Sequence, residues 1–313
     1  MERLTVAGCS LPNHTLTEAL ERLHALGFAG VEIATFADNE KPNAPDSAPW
    51  VVVDRLTAPE KRRLKEAIGK FKHVSVHLPY GKEMRPLAAD PAVREAARRE
   101  LRRSLDDGAF LGARVANVHV LTETGLPFEA ARPQLVQLYR ELGDEAAARG
   151  MRLAIEITRP YTAAEYLALV AAIAHPNVGG CIDTGHVHFF AELAAARRNR
   201  QTPEAVQAYN DLLHELVVKL GSKLFHLHLD EVRRVDWREH FVPGNGIIDW
   251  PRFFGALRTV DYQGLFVLEL LYYVGADDAG ANLTRAFRER TPDGAAVAGL
   301  QAARTYLSPF LRP

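Results

Sequence analysis

The chain has 313 residues, of which 47% are apolar and 25% charged, with a formal net charge of -1. These proportions fit an ordinary globular protein with a sizeable core and exclude a disordered chain. The balanced charge gives no general attraction to DNA or to an anionic membrane surface.

Two cysteines, Cys9 and Cys181, do not make a disulfide framework. The opening "MERLTVAGCS" lacks the basic and apolar regions of a secretory signal, and no run approaches the roughly 18 apolar residues of a membrane span. A cytoplasmic protein is expected, and a homo-oligomer is compatible with the composition.

The first β-rich run is "LTVAGCS" (4–10). A helical segment follows, "TLTEALERLHALG", in which Thr15 stands three residues before Glu18 in capping-box spacing and Gly27 closes the pattern. Leu16, Leu20 and Leu23 share one face of that helix. The second run, "GVEIATF" (30–36), carries Glu32, which either reaches a cavity or pairs at the rim. The Pro-rich loop "NEKPNAPDSAPW" comes next, and then the basic stretch "KRRLK" (61–65), which reads as a solvated helix face.

The third run, "HVSVHLP" (73–79), leads into "DPAVREAARRELRRSLDDGAFLG". Asp90 is placed there to cap, Pro91 to start and Gly112 to end a helix. The fourth run, "RVANVHV" (114–120), precedes "RPQLVQLYRELGDEAAARG", which ends on Gly150. The fifth and sixth are "MRLAIEI" (151–157) and "VGGCIDT" (178–184). Residues 187–222 are long enough for two helices. "LFHLHLD" (224–230) and "LFVLELL" (265–271) complete eight runs, spaced by roughly 37 residues, enough for a βα unit each.

Eight strands alternating with helices close naturally into a (β/α)₈ TIM barrel, expected here as a single domain over residues 1–313. An open doubly wound sheet is the alternative, but no G-x-G-x-x-G follows the first strand.

In such barrels the active site lies at the C-terminal ends of the strands. Ionisable residues fall there in run after run: His77, His119, Glu156, Asp183, His226 with His228, and Glu269. Side chains alternate along a strand, and small or apolar residues lie beneath each carboxylate on its own face. Carboxylates crowded at one mouth repel one another, and a divalent cation relieves that. Two Glu, one Asp and one His suit one Mn²⁺ or Mg²⁺ ion best, with Zn²⁺ or Co²⁺ also compatible. Asp183, in "DTGH", is open to a second role as the cap of a helix start.

Strand-end Glu156, the Asp-x-x-His of Asp183 and His186, the His-x-x-Glu of His228 and Glu231, "HFVPGNGIIDW" and Glu269 together resemble the xylose-isomerase-like barrel superfamily. That superfamily holds sugar phosphate isomerases and epimerases, inosose dehydratases and the AP endonuclease called endonuclease IV. The resemblance runs over nearly the whole chain; its motifs are short, and their order and strand placement carry it. Similarity to the ketose 3-epimerase branch implies that Glu156, Asp183, His228 and Glu269 hold the metal, with Glu156 and Glu269 also the catalytic acid and base. His186 would contact substrate. His240 stands where that branch has an arginine, and its "PGEG" is here "PGNG" (243–246), so the substrate grip differs. His77, His119 and His240 are further candidates for substrate contact, as is Arg233, which follows the seventh strand and would suit a phosphate or acidic group.

The endonuclease branch needs further zinc ligands. His77, His119, His186 and His240 match them, but Arg238 replaces the aspartate two residues before the last histidine. Around the site, His226 is expected to support or pack, and His188 to be structural. Trp50 and Trp237 are placed in loops from which they could stack on a sugar ring, and Trp250 at a helix start. The expected activity is isomerisation or epimerisation of a sugar or sugar-like polyol by proton abstraction next to a carbonyl. The alternatives are a dehydratase of inosose type and a multi-zinc phosphodiesterase. A non-catalytic sugar-sensing barrel is disfavoured by two opposed carboxylates, and neither nucleic acid nor membrane is an expected partner.

Overall fold

A computed structural model describes residues 2–11, 14–35, 50–81, 84–121, 126–158, 162–271 and 293–311. Its strands are β1 (Leu4–Ala7), β2 (Gly30–Ala34), β3 (His73–His77), β4 (Val115–His119), β5 (Arg152–Glu156), β6 (Val178–Asp183), β7 (Leu224–Leu229) and β8 (Leu265–Leu268). Each runs parallel to the next. β8 closes on β1 through Leu4↔Phe266, Thr5↔Val267 and Val6↔Leu268. The expected eight-stranded TIM barrel is therefore the fold, with every run supplying its strand. The strands stop one to three residues before the runs do, because the last residues of each run leave the ladder for the rim.

The helices are α1 (Leu16–Ala25), α2 (Ala58–Ile68), α3 (Pro91–Leu111), α4 (Phe128–Ala148), α5 (Ala163–Ile173), α6 (Ala194–Arg198), α7 (Pro203–Leu220), α8 (Trp250–Thr259) and α9 (Asp293–Leu307). The capping box of Thr15 and Glu18 forms, and Thr57 with Glu60 and Thr162 with Glu165 repeat it. Asp90 caps α3, which ends at Gly112 with φ 79°. α4 begins at Phe128 rather than at Arg132 and carries Pro133 inside it. The burial of Phe128, Ala131 and Leu135 outweighs the one backbone hydrogen bond that proline removes. Residues 187–222 form the short 3₁₀ turn His186–Phe189 and then α6 and α7. The Pro-rich loop lies outside the described residues except for Trp50, which pairs with Ala34 as an isolated bridge. No helix among the described residues is long and apolar enough to cross a membrane.

The connection from β7 to α8 is the rim segment that matters most for the site. Glu231 forms a backbone bridge with Phe241 and so fixes the neighbouring His240, whose φ is 69°. The buried Glu231 carboxylate accepts from the backbone N–H groups of Val232 (3.0 Å), Gly244 (3.0 Å), Ile247 (3.1 Å) and Ile248 (3.1 Å). It also accepts from the indole N–H of Trp250 (2.9 Å). Burial pushes its pKa up, and these five donors work against that. Trp250 thus packs at the start of α8 as expected and adds a hydrogen bond.

The turn wraps the carboxylate so closely that a Cβ at Gly246 would strike the Val232 carbonyl and Glu231 Oε1. Gly246→Ala is accordingly expected to cost about 1–3 kcal/mol of unfolding free energy. Urea unfolding monitored by circular dichroism measures it.

Candidate metal and active site

Glu156 ends β5, Asp183 ends β6, His228 lies on β7 and Glu269 follows β8 directly. Register places them together: Asp183 pairs with His228, and His228 with Val267, two residues before Glu269 on the same face. His228 Nδ1 lies 2.8 Å from Glu269 Oε2, 3.5 Å from Glu156 Oε2 and 3.8 Å from Asp183 Oδ2. Glu156, Asp183 and His228 are buried, while Glu269 is partly open at the mouth.

Three of the buried atoms at this point, Glu156 Oε1, Asp183 Oδ2 and His228 Nδ1, make no well-formed hydrogen bond, although Glu269 Oε2 lies 2.8 Å from His228 Nδ1 and His186 Nδ1 lies 3.0 Å from Glu156 Oε1. Stranding polar atoms in this way is costly unless something else satisfies them. A divalent ion with ligands about 2.0–2.2 Å away sets its donors about 3–3.5 Å apart, close to the spacings seen. The residues therefore fit a divalent metal.

The two oxygens of Asp183 are placed differently. Its Oδ1 accepts from the backbone N–H of Gly185 (2.7 Å) and His186 (2.9 Å), capping the 3₁₀ turn. Its Oδ2 is the atom left facing the site. Burial disfavours its charge, but His186, His228 and His240 outweigh burial and hold the carboxyl well below its usual range.

Glu156 is ringed by histidines. His186 Nδ1 is 3.0 Å and His119 Nε2 3.4 Å from Oε1, and His77 Nε2 is 3.3 Å from Oε2. The Asn117 side-chain amide donates to Oε2. Against burial, His119 and His228 hold Glu156 ionised. Burial likewise opposes charge on His186, yet Asp183 and Glu156 push it up to about 9. Tyr80, 41% exposed, stacks on His119 with ring centroids 4.3 Å apart and meets His77 edge-on at 5.1 Å. Nothing in the sequence singled it out, since it lies on the rim past the strand's end.

His240 closes the other side. Its ring lies 5.4 Å from that of His186, and its Nδ1 is 3.2 Å from both Asp230 Oδ2 and the Glu269 carbonyl. Asp230, fully buried, was not anticipated. Burial and the charge of Asp183 push it up to about 7, with His240 pulling the other way. Gly185 leaves it room, because a Cβ there would strike Asp230 Oδ2.

Two loop expectations change. Arg233 is buried, with Nε donating to Asp236 Oδ1 at 2.8 Å and the guanidinium over Phe241 at 5.5 Å, so its charge is committed within its own loop. Trp237 is also buried, donates its indole N–H to the Arg200 carbonyl (3.0 Å) and packs edge-on against Tyr209, so it offers no face to a sugar. His188 turns away from His186 toward Glu239 (3.4 Å), as expected of a structural residue, and burial pushes its pKa down to about 4. Glu32 and His226 meet beneath the site, with His226 Nε2 2.7 Å from Glu32 Oε2.

The different placement of the two Asp183 oxygens gives a clean test. In Asp183→Asn the amide oxygen can still cap the turn, while an N–H₂ replaces the oxygen that faces the cluster. The variant is expected to keep its melting temperature without metal. Its Mn²⁺ affinity should fall by more than the roughly 10–100-fold lost with a supporting partner, as read by calorimetric titration.

Comparison with known proteins agrees with this fold. A family model described as xylose isomerase-like TIM barrel matches residues 20–291. A D-psicose 3-epimerase of Enterocloster bolteae is 27% identical over 168 residues, covering 52% of this chain and 47% of that protein, so the match spans about half the relative's length. A crystal structure of D-psicose 3-epimerase in the presence of D-fructose superposes with a TM-score of 0.71 at 19% identity, covering 99% of both chains. A structure of IOLI protein with a binding zinc atom gives a TM-score of 0.69 at 17% identity, covering 99% of this chain and 100% of that one. The closed eight-stranded parallel barrel and the span of the matching model lead to one conclusion: the chain belongs to the xylose isomerase-like TIM-barrel family.

Proposed function

We propose that this protein is a divalent-metal-dependent isomerase or epimerase that moves a proton next to a carbonyl of a sugar or sugar-like polyol. The observation that carries the reading is the convergence of Glu156 Oε1, Asp183 Oδ2 and His228 Nδ1, all buried and without a well-formed hydrogen bond, at the exits of three successive strands, with Glu269 beside them. Three carboxylates and one imidazole suit Mn²⁺ or Mg²⁺, and accept Zn²⁺ or Co²⁺. An ion held by Glu156, Asp183, His228 and Glu269 would supply Lewis acidity toward a carbonyl and an adjacent hydroxyl.

The chain's own groups do the proton work. Glu156 and Glu269 both approach His228 Nδ1, and histidines hold both carboxylates ionised against their burial. One carboxylate, ionised, can take the proton from carbon. The proton returned to the opposite face comes from the other only in its protonated form, so with substrate bound one of the pair carries a proton, while return by the first carboxyl uses the proton it has just taken. Return to the opposite face of the same carbon is epimerisation, return to the adjacent carbon is isomerisation, and loss of a β-hydroxyl is dehydration. His77, His119 and His186 line the Glu156 side and His240 the Glu269 side, where their ring N–H groups would hold and orient substrate hydroxyls. The match to a D-psicose 3-epimerase favours a ketose, with an inosose as the dehydratase alternative.

A second reading has its own observation. Donor atoms of His77, His119 and Glu156 lie within 4.8 Å of one another, as do those of Asp183, His186 and His240. That clustering would suit a multi-zinc phosphodiesterase. Arg238, which points toward Asp236 at 3.9 Å, puts a cation where that reading needs a carboxylate.

The test is incubation of Mn²⁺-loaded protein with ketohexoses, ketopentoses and an inosose in heavy water, followed by NMR. Loss of a C–H signal next to the carbonyl is expected, and Glu269→Gln should slow it by about 10²–10⁴-fold. Incision of an abasic-site duplex by zinc-loaded protein, with no exchange in any sugar, would replace this reading with the second.

A further inference from the structure

Among the described residues, Glu32 is the one carboxylate near the site that faces the back of His228. It projects from β2 into the barrel and meets residues on β7, which is not a neighbouring strand. Its Oε1 lies 2.8 Å from His228 Nε2, on the far side of the ring from Nδ1 and the other three carboxylates. Its Oε2 takes His226 Nε2 at 2.7 Å and the Ser75 hydroxyl at 2.8 Å. The side chain is 3% exposed. Ser75 and His226 hydrogen-bond to Glu32, and His228 Nε2 lies in short contact with it without a well-formed hydrogen bond, a set that suits a fixed anion rather than a cation site of its own. His226 has no hydrogen-bond partner at Nδ1, so Glu32 is the anchor of that ring as well.

We infer that Glu32 is the positioning residue for His228: it keeps the proton on Nε2, so that Nδ1 offers its lone pair to the metal site, and His226 with Ser75 locks Glu32 in place. A neutral imidazole carries one proton, and the partner at one nitrogen decides which nitrogen remains an acceptor. The inference rests on the reading of His228 as a metal ligand.

Glu32→Gln separates this role from simple packing. The amide nearly conserves shape but has one acceptor oxygen. With Ser75 and His226 claiming that oxygen, the N–H₂ faces His228 Nε2 and drives the ring proton to Nδ1. Calorimetric titration of Mn²⁺ into metal-free protein should show Kd raised about 10–100-fold in the variant. A second measurement needs no variant of Glu32. In Zn²⁺-loaded wild-type protein, long-range ¹H–¹⁵N spectra should show His228 protonated at Nε2 and not at Nδ1, its signal assigned by its loss in His228→Gln. If wild-type protein binds no metal, the reading of the site itself fails and this inference with it. If wild-type protein binds metal but Glu32→Gln binds it within twofold, or His228 carries its proton on Nδ1, the positioning role alone is overturned.

Discussion

The structure turns on the crowding of carboxylates around one imidazole. Donor atoms of Asp183, His228 and Glu269 lie within 4.8 Å of one another, and Glu156 approaches the same His228 nitrogen. Two like charges at about that distance repel by roughly 3–4 kcal/mol at an effective dielectric of ~20. A buried set of this kind must either take up protons or be compensated by positive charge. The chain supplies part of that compensation in histidines, with His77, His186 and His240 each pushed toward the charged form by the surrounding carboxylates. It still leaves buried oxygens and a ring nitrogen without a well-formed hydrogen bond. A divalent ion answers both the charge and the stranded atoms.

What surrounds the cluster serves to hold it. The parallel ladder pairs Asp183 with His228 and Glu156 with Cys181, two residues before Asp183 on the same face, and the two-residue alternation turns all three inward. Gly185 and the backbone N–H groups after Asp183 fix one of its oxygens and aim the other. Glu231 gathers five N–H donors to fold the segment that brings His240 to the mouth. Beneath, where such barrels usually carry branched apolar side chains, the interior is polar, with Glu32, Ser75 and His226 joined behind His228. Glu32 is tolerated within the barrel because Ser75 on the adjacent strand and His226 across the lumen both hydrogen-bond to it.

Much of this was legible in the sequence, for a physical reason. Strand periodicity is local, so all eight strands could be placed from short runs, and the exit-end rule then picked out Glu156, Asp183, His228 and Glu269 as neighbours. The helix caps at Thr15 and Asp90 were equally local. The pairing of Glu32 with His226 was not, because the two are separated by 194 residues and meet only when the barrel closes. Asp230 and Tyr80 were missed for a similar reason, since their roles depend on how rim segments fold back. The loop residues Arg233 and Trp237 misled because the sequence places them on the active-site side without showing that Asp236, Phe241 and Arg200 engage them.

Family membership fixes the scaffold, while chemistry resides in the side chains at its mouth. The central claim is that those side chains form one metal centre. Anomalous diffraction from a crystal soaked in Mn²⁺ tests it most directly. A single peak bound by Glu156, Asp183 Oδ2, His228 Nδ1 and Glu269 is the result this account predicts. No peak there, or peaks only beside His77 and His119, would contradict it.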